Sequence, residues 1–337
     1  MQIFTVGSLT LDIFFEPEEQ NILKKGAKEL ITFELGSKVR VRDTRQLFGG
    51  SSMNTAVAVR RLGLSSVACV GAVGDDLIAR DVLQNLKREK IATRFVSKLS
   101  GTQTGFSLIV KPTNGRHVAL VNSGANHDFC RLKQDIFHHC AALHLGRLSG
   151  DSCHVFETIR RFFKKNPEKL LSWNPGKEQI QKGIRHFRDF LPVVDILLLN
   201  LEEAETFTGV QARGSDATFR GAKHLTPIFR DIAANKFSGV CLITDGARGT
   251  QASDGEQIFF VPPYRKFEIV DTLGAGDAFA ATFFAAHILG HDIADSLKFA
   301  SVNSASVVSA IGAHTALLPL SKLKKLGRGV RVSRKKI

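Results

Sequence analysis

The residues best suited to chemistry lie together in one stretch, Asp271-Thr272-Leu273-Gly274-Ala275-Gly276-Asp277-Ala278-Phe279. Gly274 and Gly276 let the backbone turn sharply and approach a ligand closely. Residues 280–289 are mostly apolar, alanine-rich and free of Gly and Pro, which predicts a buried helix. Residues 267–270 form an apolar, strand-like lead, so the expected unit is strand, glycine turn, helix. Free N–H groups at the helix start, with the helix dipole, make a nest for an anion. Asp277 falls in the first turn beside that nest. An anion hole next to a carboxylate suits phosphoryl transfer: the nest holds the charged group and the carboxylate takes the proton of the attacking hydroxyl. A plain helix N-terminus with an acidic first turn is the alternative. No Gly-Lys-Ser/Thr follows the glycines, so the turn is not a Walker A loop.

Elements of matching kind precede this unit. Residues 3–6 form a short apolar strand before Gly7-Ser8-Leu9-Thr10-Leu11-Asp12. Residues 29–34 and 38–42 alternate apolar and polar, as do 104–110 and 117–121, which Pro112-Thr113-Asn114-Gly115 joins as a hairpin turn. Phe48-Gly49-Gly50-Ser51-Ser52-Met53-Asn54-Thr55 opens a helix to about Leu62 with Gly63 as its stop. Residues 67–73 lead into Gly74-Asp75-Asp76, and 81–90 read as an amphipathic helix. Further short strands are expected at 141–145, before Gly146-Arg147, and at 170–173, 194–199 and 240–243. The strand at 194–199 is apolar throughout and so buried on both faces. Residues 296–310 read as a helix of small residues, followed by Ile311-Gly312-Ala313. Strands alternating with helices predict a doubly wound, mainly parallel α/β sheet flanked by helices, with ligands at the carboxyl ends of the strands. Arg147 at such an end could read a substrate carboxylate or phosphate; a surface arginine is the plainer reading.

Asp-Thr-Leu-Gly-Ala-Gly-Asp-Ala-Phe resembles the C-terminal signature of the ribokinase-like (PfkB-type) carbohydrate kinases. The Gly49-Gly50 to Asp76 stretch resembles the same family's N-terminal signature. The resemblance runs from residue 3 to about 320. It implies ATP-dependent phosphotransfer to a hydroxyl of a small sugar or sugar derivative. Asp277 inherits the role of catalytic base, and Gly274, Ala275 and Gly276 that of the anion hole. Asp12, Gly49, Gly50 and Asn54 match the substrate-binding positions; a carboxylate accepts bonds from two neighbouring hydroxyls well, and a turn aspartate is the alternative for Asp12. The chain carries Thr10 where the family often has Asn. Asn200 and Glu203 match the family's Asn-x-x-Glu motif, which organises Mg²⁺ and phosphate; an acidic helix start is the alternative. Thr244, Gly246 and Gly249 match a loop beside the nucleotide. The helix bearing Ser301 and Asn303, and its Gly312 end, would flank the adenine. Asp271 and the Gly312 loop could hold a monovalent cation such as K⁺. The resemblance also implies a small β-sheet lid built from residues 10–48 and 100–122, inserted in one kinase domain of residues 1–325. A nucleoside acceptor is the alternative, its base in an apolar slot near Phe14, Phe33 or Phe106. A descendant that only binds sugar or nucleotide is the other.

The 337 residues, 43% hydrophobic, allow a large core in one or two domains. Cys69, Cys130, Cys140, Cys153 and Cys241 are scattered singly, suggesting neither a zinc site nor a disulfide scaffold. Their odd number and the lack of a secretion-signal pattern predict a cytoplasmic location. No run of about 18 apolar residues predicts a membrane span. The formal net charge of +14 attracts phosphorylated ligands. Residues 322–336 hold much of the excess and read as a solvated basic tail, set at 326–337. No aromatic residues are interleaved there to stack on bases, so no nucleic-acid partner is expected. An exposed lid edge could pair with a second copy as a homodimer.

Overall fold

Ten strands form the central sheet, and its topology sets where a ligand can bind. The computed structural model describes residues 2–18, 21–26, 28–111, 117–129, 132, 134–150, 153–216, 218–219 and 222–337. In chain order the elements begin β1 Gln2–Val6, β2 Thr10–Pro17, β3 Asn21–Lys25, β4 Lys28–Thr32, β5 Val41–Gly49, α1 Ser51–Arg61, β6 Val67–Val73, α2 Leu77–Arg88 and β7 Ala92–Lys98. Then come β8 Gly105–Val110, β9 Val118–Asn122, β10 Cys140–Leu145, α3 Cys153–Lys165, β11 Leu170–Trp173, α4 Lys177–Lys182, β12 Ile196–Asn200 and α5 Leu201–Thr208. The chain ends with β13 Arg213–Ser215, β14 Lys223–His224, α6 Thr226–Ala234, β15 Val240–Thr244, β16 Thr250–Ser253, β17 Gln257–Val261, α7 Ala275–Ile288, α8 Ile293–Val307, α9 Leu320–Gly327 and β18 Ser333–Lys336.

The main sheet runs β18-β17-β16-β15-β12-β11-β10-β1-β6-β7. Every pairing from β15 to β7 is parallel, and the three from β15 out to β18 are antiparallel. Parallel strands carry helices on both faces and bury both. Accordingly β6 is buried along its whole length. Two apolar clusters cover the two faces. Val155, Ile159, Phe207 and Ile228, from α3, α5 and α6, belong to one. Met53, Val82, Phe283 and Leu297, from α1, α2, α7 and α8, belong to the other. This is the doubly wound α/β architecture expected from the alternation. Helix α7 is apolar almost all round and correspondingly buried, wedged between α1 and α8. Among the described residues no helix is long and apolar enough to cross a membrane.

A second sheet of four strands, β5-β2-β8-β9, stands apart from the first. Asp76 ties it to the body. Its carboxylate caps α2 at Ala79 N and also accepts from Thr104 N and Oγ1, just before β8. The hairpin turn expected at 112–115 lies outside the described residues.

Five local expectations are corrected. Residues 267–270 form no strand: Val270 N and Asp271 N bond Val308 O, and the segment has no strand partner. The strand expected at 38–42 begins only at Val41. Residues 28–32 pair with β3 in a separate hairpin rather than with the four-stranded sheet. Asp12 lies inside β2, between Leu47 of β5 and Ser107 of β8, and not in a turn. Residues 326–337 are not a free tail, although Arg328, Arg331, Arg334 and Lys336 are exposed to solvent as expected. Ser333–Lys336 add an edge strand to β17, and Lys335 pairs with the buried Asp216 carboxylate.

Candidate active site

Asp277 is buried in the first turn of α7, where side chains from α1 and from the chain just past β10 reach it. Gly274 enters α7 in the left-handed region at φ 79°, which glycine adopts without strain. A Cβ at Gly274 would collide with Ala313, so the turn and the 312–313 loop must touch. Residues 275–277 form the first turn of α7, and Asp277 is buried with both carboxylate oxygens engaged. Asn54, in the first turn of α1, donates through Nδ2 to Asp277 Oδ2 at 2.9 Å. Arg147, just past β10, donates through Nη1 to Oδ1 at 3.3 Å. Asn54 Oδ1 in turn lies 3.4 Å from His314 Nδ1. Burial pushes the His314 imidazole down to about 4, with Arg61 adding to the effect, so the ring is neutral at neutral pH. Oδ1 only accepts, so this contact is a hydrogen bond when the His314 proton sits on Nδ1. That bond would orient the Asn54 amide with its NH₂ towards Asp277.

Asp12 faces the same space from the lid. Burial raises its carboxyl above the ordinary range, bonds from Ser107 and Thr10 oppose this, and the Asp277 charge adds to the rise. Gly49 lies against it, since a Cβ there would strike Asp12 Oδ2. Gly50 caps α1, where a Cβ would run into the Ser8 carbonyl. Asp12, Gly49, Gly50, Asn54, Arg147 and Asp277, scattered over 266 positions, therefore converge around the Asp277 carboxylate. Of the three phenylalanines expected around a base, Phe14 shares the Asp12 face of β2. Phe106 sits in register with Leu11, on the other side of the pleat, and Phe33 is exposed beyond β4.

On the other side of the α7 N-terminus lies a cavity of about 640 Å³. Ala275 and Gly276 close one end, Thr244, Gly246 and Gly249 one wall, and Ser301, Ser304 and Ala305 of α8, with Val308 just past its end, another. Tyr264, Phe267 and Ile269 complete it. The apolar lead at 267–270, misread as a strand, thus lines a cavity. Asn303 does not belong there. It is fully buried, donates to Thr282 Oγ1 and accepts from Leu318 N, tying α8 to α7 and to the chain beyond. Gly312 is not in the cavity wall either: a Cβ there would meet Leu47 of the lid and Thr315.

At the end of β12, Asn200 and Glu203 form a reciprocal capping box: Glu203 N donates to Asn200 Oδ1 and Asn200 N to Glu203 Oε2, at 2.8 and 2.9 Å. Asn200 is in register with Thr244 on the adjacent strand. Asp271 is buried, with Oδ1 accepting from Leu273 N while Oδ2 has no protein partner. Sequence reading did not single out His314, Tyr264 or Ser304. No local pattern marks His314. The spacing of Ser301, Ser304 and Ala305 on α8, continued by Val308 just past its end, was the available signal for Ser304.

The family model described as pfkB family carbohydrate kinase matches residues 19–319. A ribokinase of Lactococcus lactis is 27% identical over 291 residues, 86% of this chain and 88% of that protein. A nucleoside kinase of Methanocaldococcus jannaschii is 22% identical over 94% of this chain and 93% of its own. The structure of Arabidopsis thaliana ribokinase complexed with ribose and ATP superposes with a TM-score of 0.79 at 21% identity, covering 97% of this chain and 98% of that one.

Proposed function

Because the chain belongs to the pfkB family of carbohydrate kinases, we propose that it transfers the γ-phosphoryl group of ATP to a hydroxyl of a small sugar or sugar derivative, with Asp277 as general base. The observation that carries this reading is the convergence on Asp277. A buried carboxylate in the first turn of α7 stands with Asn54 and Asp12 beside it, and a cavity ends at the adjacent Gly276. Asp12 accepts hydroxyl hydrogens of the acceptor, and Asn54 holds the base in place. Asp277 takes the proton of the attacking hydroxyl as its oxygen bonds the γ-phosphorus and the bond from that phosphorus to the bridging oxygen of ADP breaks. The N–H groups of residues 274–276 receive the negative charge that develops on the transferring group. The 640 Å³ cavity holds the nucleotide, with Thr244, Gly246 and Gly249 along it. The lid folds over the acceptor and excludes water.

Mg²⁺ keeps several waters and is bound through one or two carboxylates plus substrate phosphates. Glu203 and Asn200 supply a carboxylate and an amide oxygen beside Thr244 and fit that need, the ion serving to neutralise phosphate charge. The unpartnered, buried Oδ2 of Asp271 supports a monovalent cation there, K⁺ being the candidate. A nucleoside acceptor is the second reading. It is favoured by the Methanocaldococcus relative and by Phe14 beside Asp12.

One coupled assay tests these readings, with MgATP offered against pentoses, hexoses and ribosides, in K⁺ and in choline buffers. Turnover of one acceptor class is expected. Asp277→Asn should lower kcat by about 10²–10⁴-fold while MgATP still binds. Wild-type protein inert on every acceptor, or an Asp277→Asn variant with unchanged kcat, would remove the proposed role. Equal rates in K⁺ and choline would remove the cation from Asp271.

A further inference from the structure

Arg147 is a cation in direct contact with the proposed base. Its backbone is fixed: Ser51 Oγ lies 3.3 Å from the Arg147 carbonyl, and a Cβ at Gly176 would stand 3.3 Å from its Cβ. Its head is not, for 45% of the side chain is exposed. Nη1 reaches Asp277 Oδ1 at 3.3 Å, longer than the usual 2.7–2.9 Å of a charge-assisted bond, so the contact is readily given up. Nη2 stands 4.0 Å from where a Cβ on Gly276 would be, and among the described residues it is the single atom within that distance apart from the chain neighbours of Gly276 and the backbone of its own helix. The guanidinium therefore spans the base and the open end of the nest. Asn54 already occupies Oδ2 of Asp277, so an acceptor hydroxyl gains Oδ1 as Arg147 moves aside.

Resting on the kinase reading above, we infer that Arg147 is a catalytic residue for the phosphoryl group in transit: its guanidinium leaves Asp277 Oδ1 as the acceptor arrives and bonds the oxygens of the transferring group above Gly276. The charge stands one hydrogen bond from the atom that takes the proton. Three equatorial oxygens share the charge of the transferring group, and a planar fork of N–H donors matches them better than a point charge does. The step balances. Asp277 Oδ1 takes the acceptor proton, the acceptor oxygen bonds the γ-phosphorus, and the bond from that phosphorus to the bridging oxygen breaks with its electron pair left on ADP. Arg147 stays protonated throughout. Protonation of Asp277 also cancels the charge that held Arg147, so its release from the base and its hold on the phosphoryl oxygens reinforce each other.

The test needs no knowledge of the natural acceptor. MgADP is titrated calorimetrically with and without aluminium fluoride, a mimic of the phosphoryl group in transit, with D-ribose present as the probe acceptor. Wild type, Arg147→Gln and Arg147→Lys are compared. Arg147→Gln should bind MgADP within twofold of wild type yet lose at least tenfold of the fluoride-dependent gain, with Arg147→Lys between the two. The same gain in Arg147→Gln, as an arginine serving an acidic acceptor would leave, overturns the inference. So does an equal loss for MgADP alone, the mark of a structural role, or the lack of any gain in wild type. Failure of wild type to phosphorylate any acceptor from MgATP would remove the kinase reading by a separate measurement.

Discussion

Asp12 shows what a binding carboxylate costs at the scale of one residue. Burial raises its carboxyl above the ordinary range, and Asp277 adds to the rise. The folded state therefore binds this proton more readily than the unfolded chain does. The protonated form is favoured below the ordinary carboxylate value, and stability declines as pH rises through the folded one. Asp12→Asn should melt higher than wild type at pH 7, and the gain should fade below about pH 4. The same variant should lose about a hundredfold in kcat/KM for the acceptor, from charge-assisted bonds worth roughly 1.5–3 kcal/mol each, while Kd for MgATP holds. Melting curves at both pH values, with kcat/KM beside Kd, check this; equal losses in both constants would return Asp12 to a structural role. Residue type and motif made Asp12, Asn54 and Asp277 legible as candidates in the sequence. Helix phase was less legible. Helix α8 is buried on most sides, and no polar stripe shows that Asn303 points at Thr282 while Ser301 and Ser304 point at the cavity. His314 stayed hidden because its contact with Asn54 spans 260 positions.

Elements were legible where the pattern of side chains and the pairing of the backbone agree. Apolar runs such as 67–73 and 170–173 became strands with those bounds. The apolar lead at 267–270 misled, because apolar side chains can face a cavity as well as a sheet core; Phe267 and Ile269 line one. The opposite error occurred at 333–336, where Ser-Arg-Lys-Lys has no apolar face and still forms β18. Edge strands carry charge readily, since it blocks pairing with another chain. Lys335 makes this strand specific. It bonds the Asp216 carboxylate and lies 5.1 Å from the Phe219 ring centroid. Burial alone would raise the Asp216 carboxyl, but bonds from Lys335 and Thr218 hold it below the ordinary range. Lys335→Ala leaves that buried carboxylate without its cation and should cost about 3 kcal/mol. Urea unfolding reads the loss, and Lys335→Ala with Asp216→Asn should recover a large part of it. An unchanged midpoint for Lys335→Ala would mean that β18 does not depend on the pair.

At the scale of the whole molecule, strand and helix alternation made the doubly wound sheet legible, and period-2 patterning marked β8 and β9 of the smaller sheet but neither β2 nor most of β5. The antiparallel run from β15 to β18 was not legible, because sheet order depends on long-range pairing and local pattern does not encode it. The four-stranded lid raises the remaining question, for β9 lies at its edge and all five of its residues are exposed. Leu120 is 58% exposed and Val121 65%, on opposite faces of one strand. Unpaired N–H and C=O groups beside exposed apolar side chains form a template for another strand. We propose that a second copy of the chain covers this edge, joining the two lids. A formal net charge of +14 on each copy opposes the encounter, so association should strengthen as salt screens the repulsion. Sedimentation equilibrium of wild type should give twice the chain mass at micromolar concentration. Leu120→Lys puts a charge on the covered face and should weaken the dimer at least tenfold, about 1.4 kcal/mol, with little change in the melting of the monomer. If wild type sediments as a monomer at all concentrations and salts, or if Leu120→Lys dimerises as wild type does, the lid edge faces solvent and any association uses another surface.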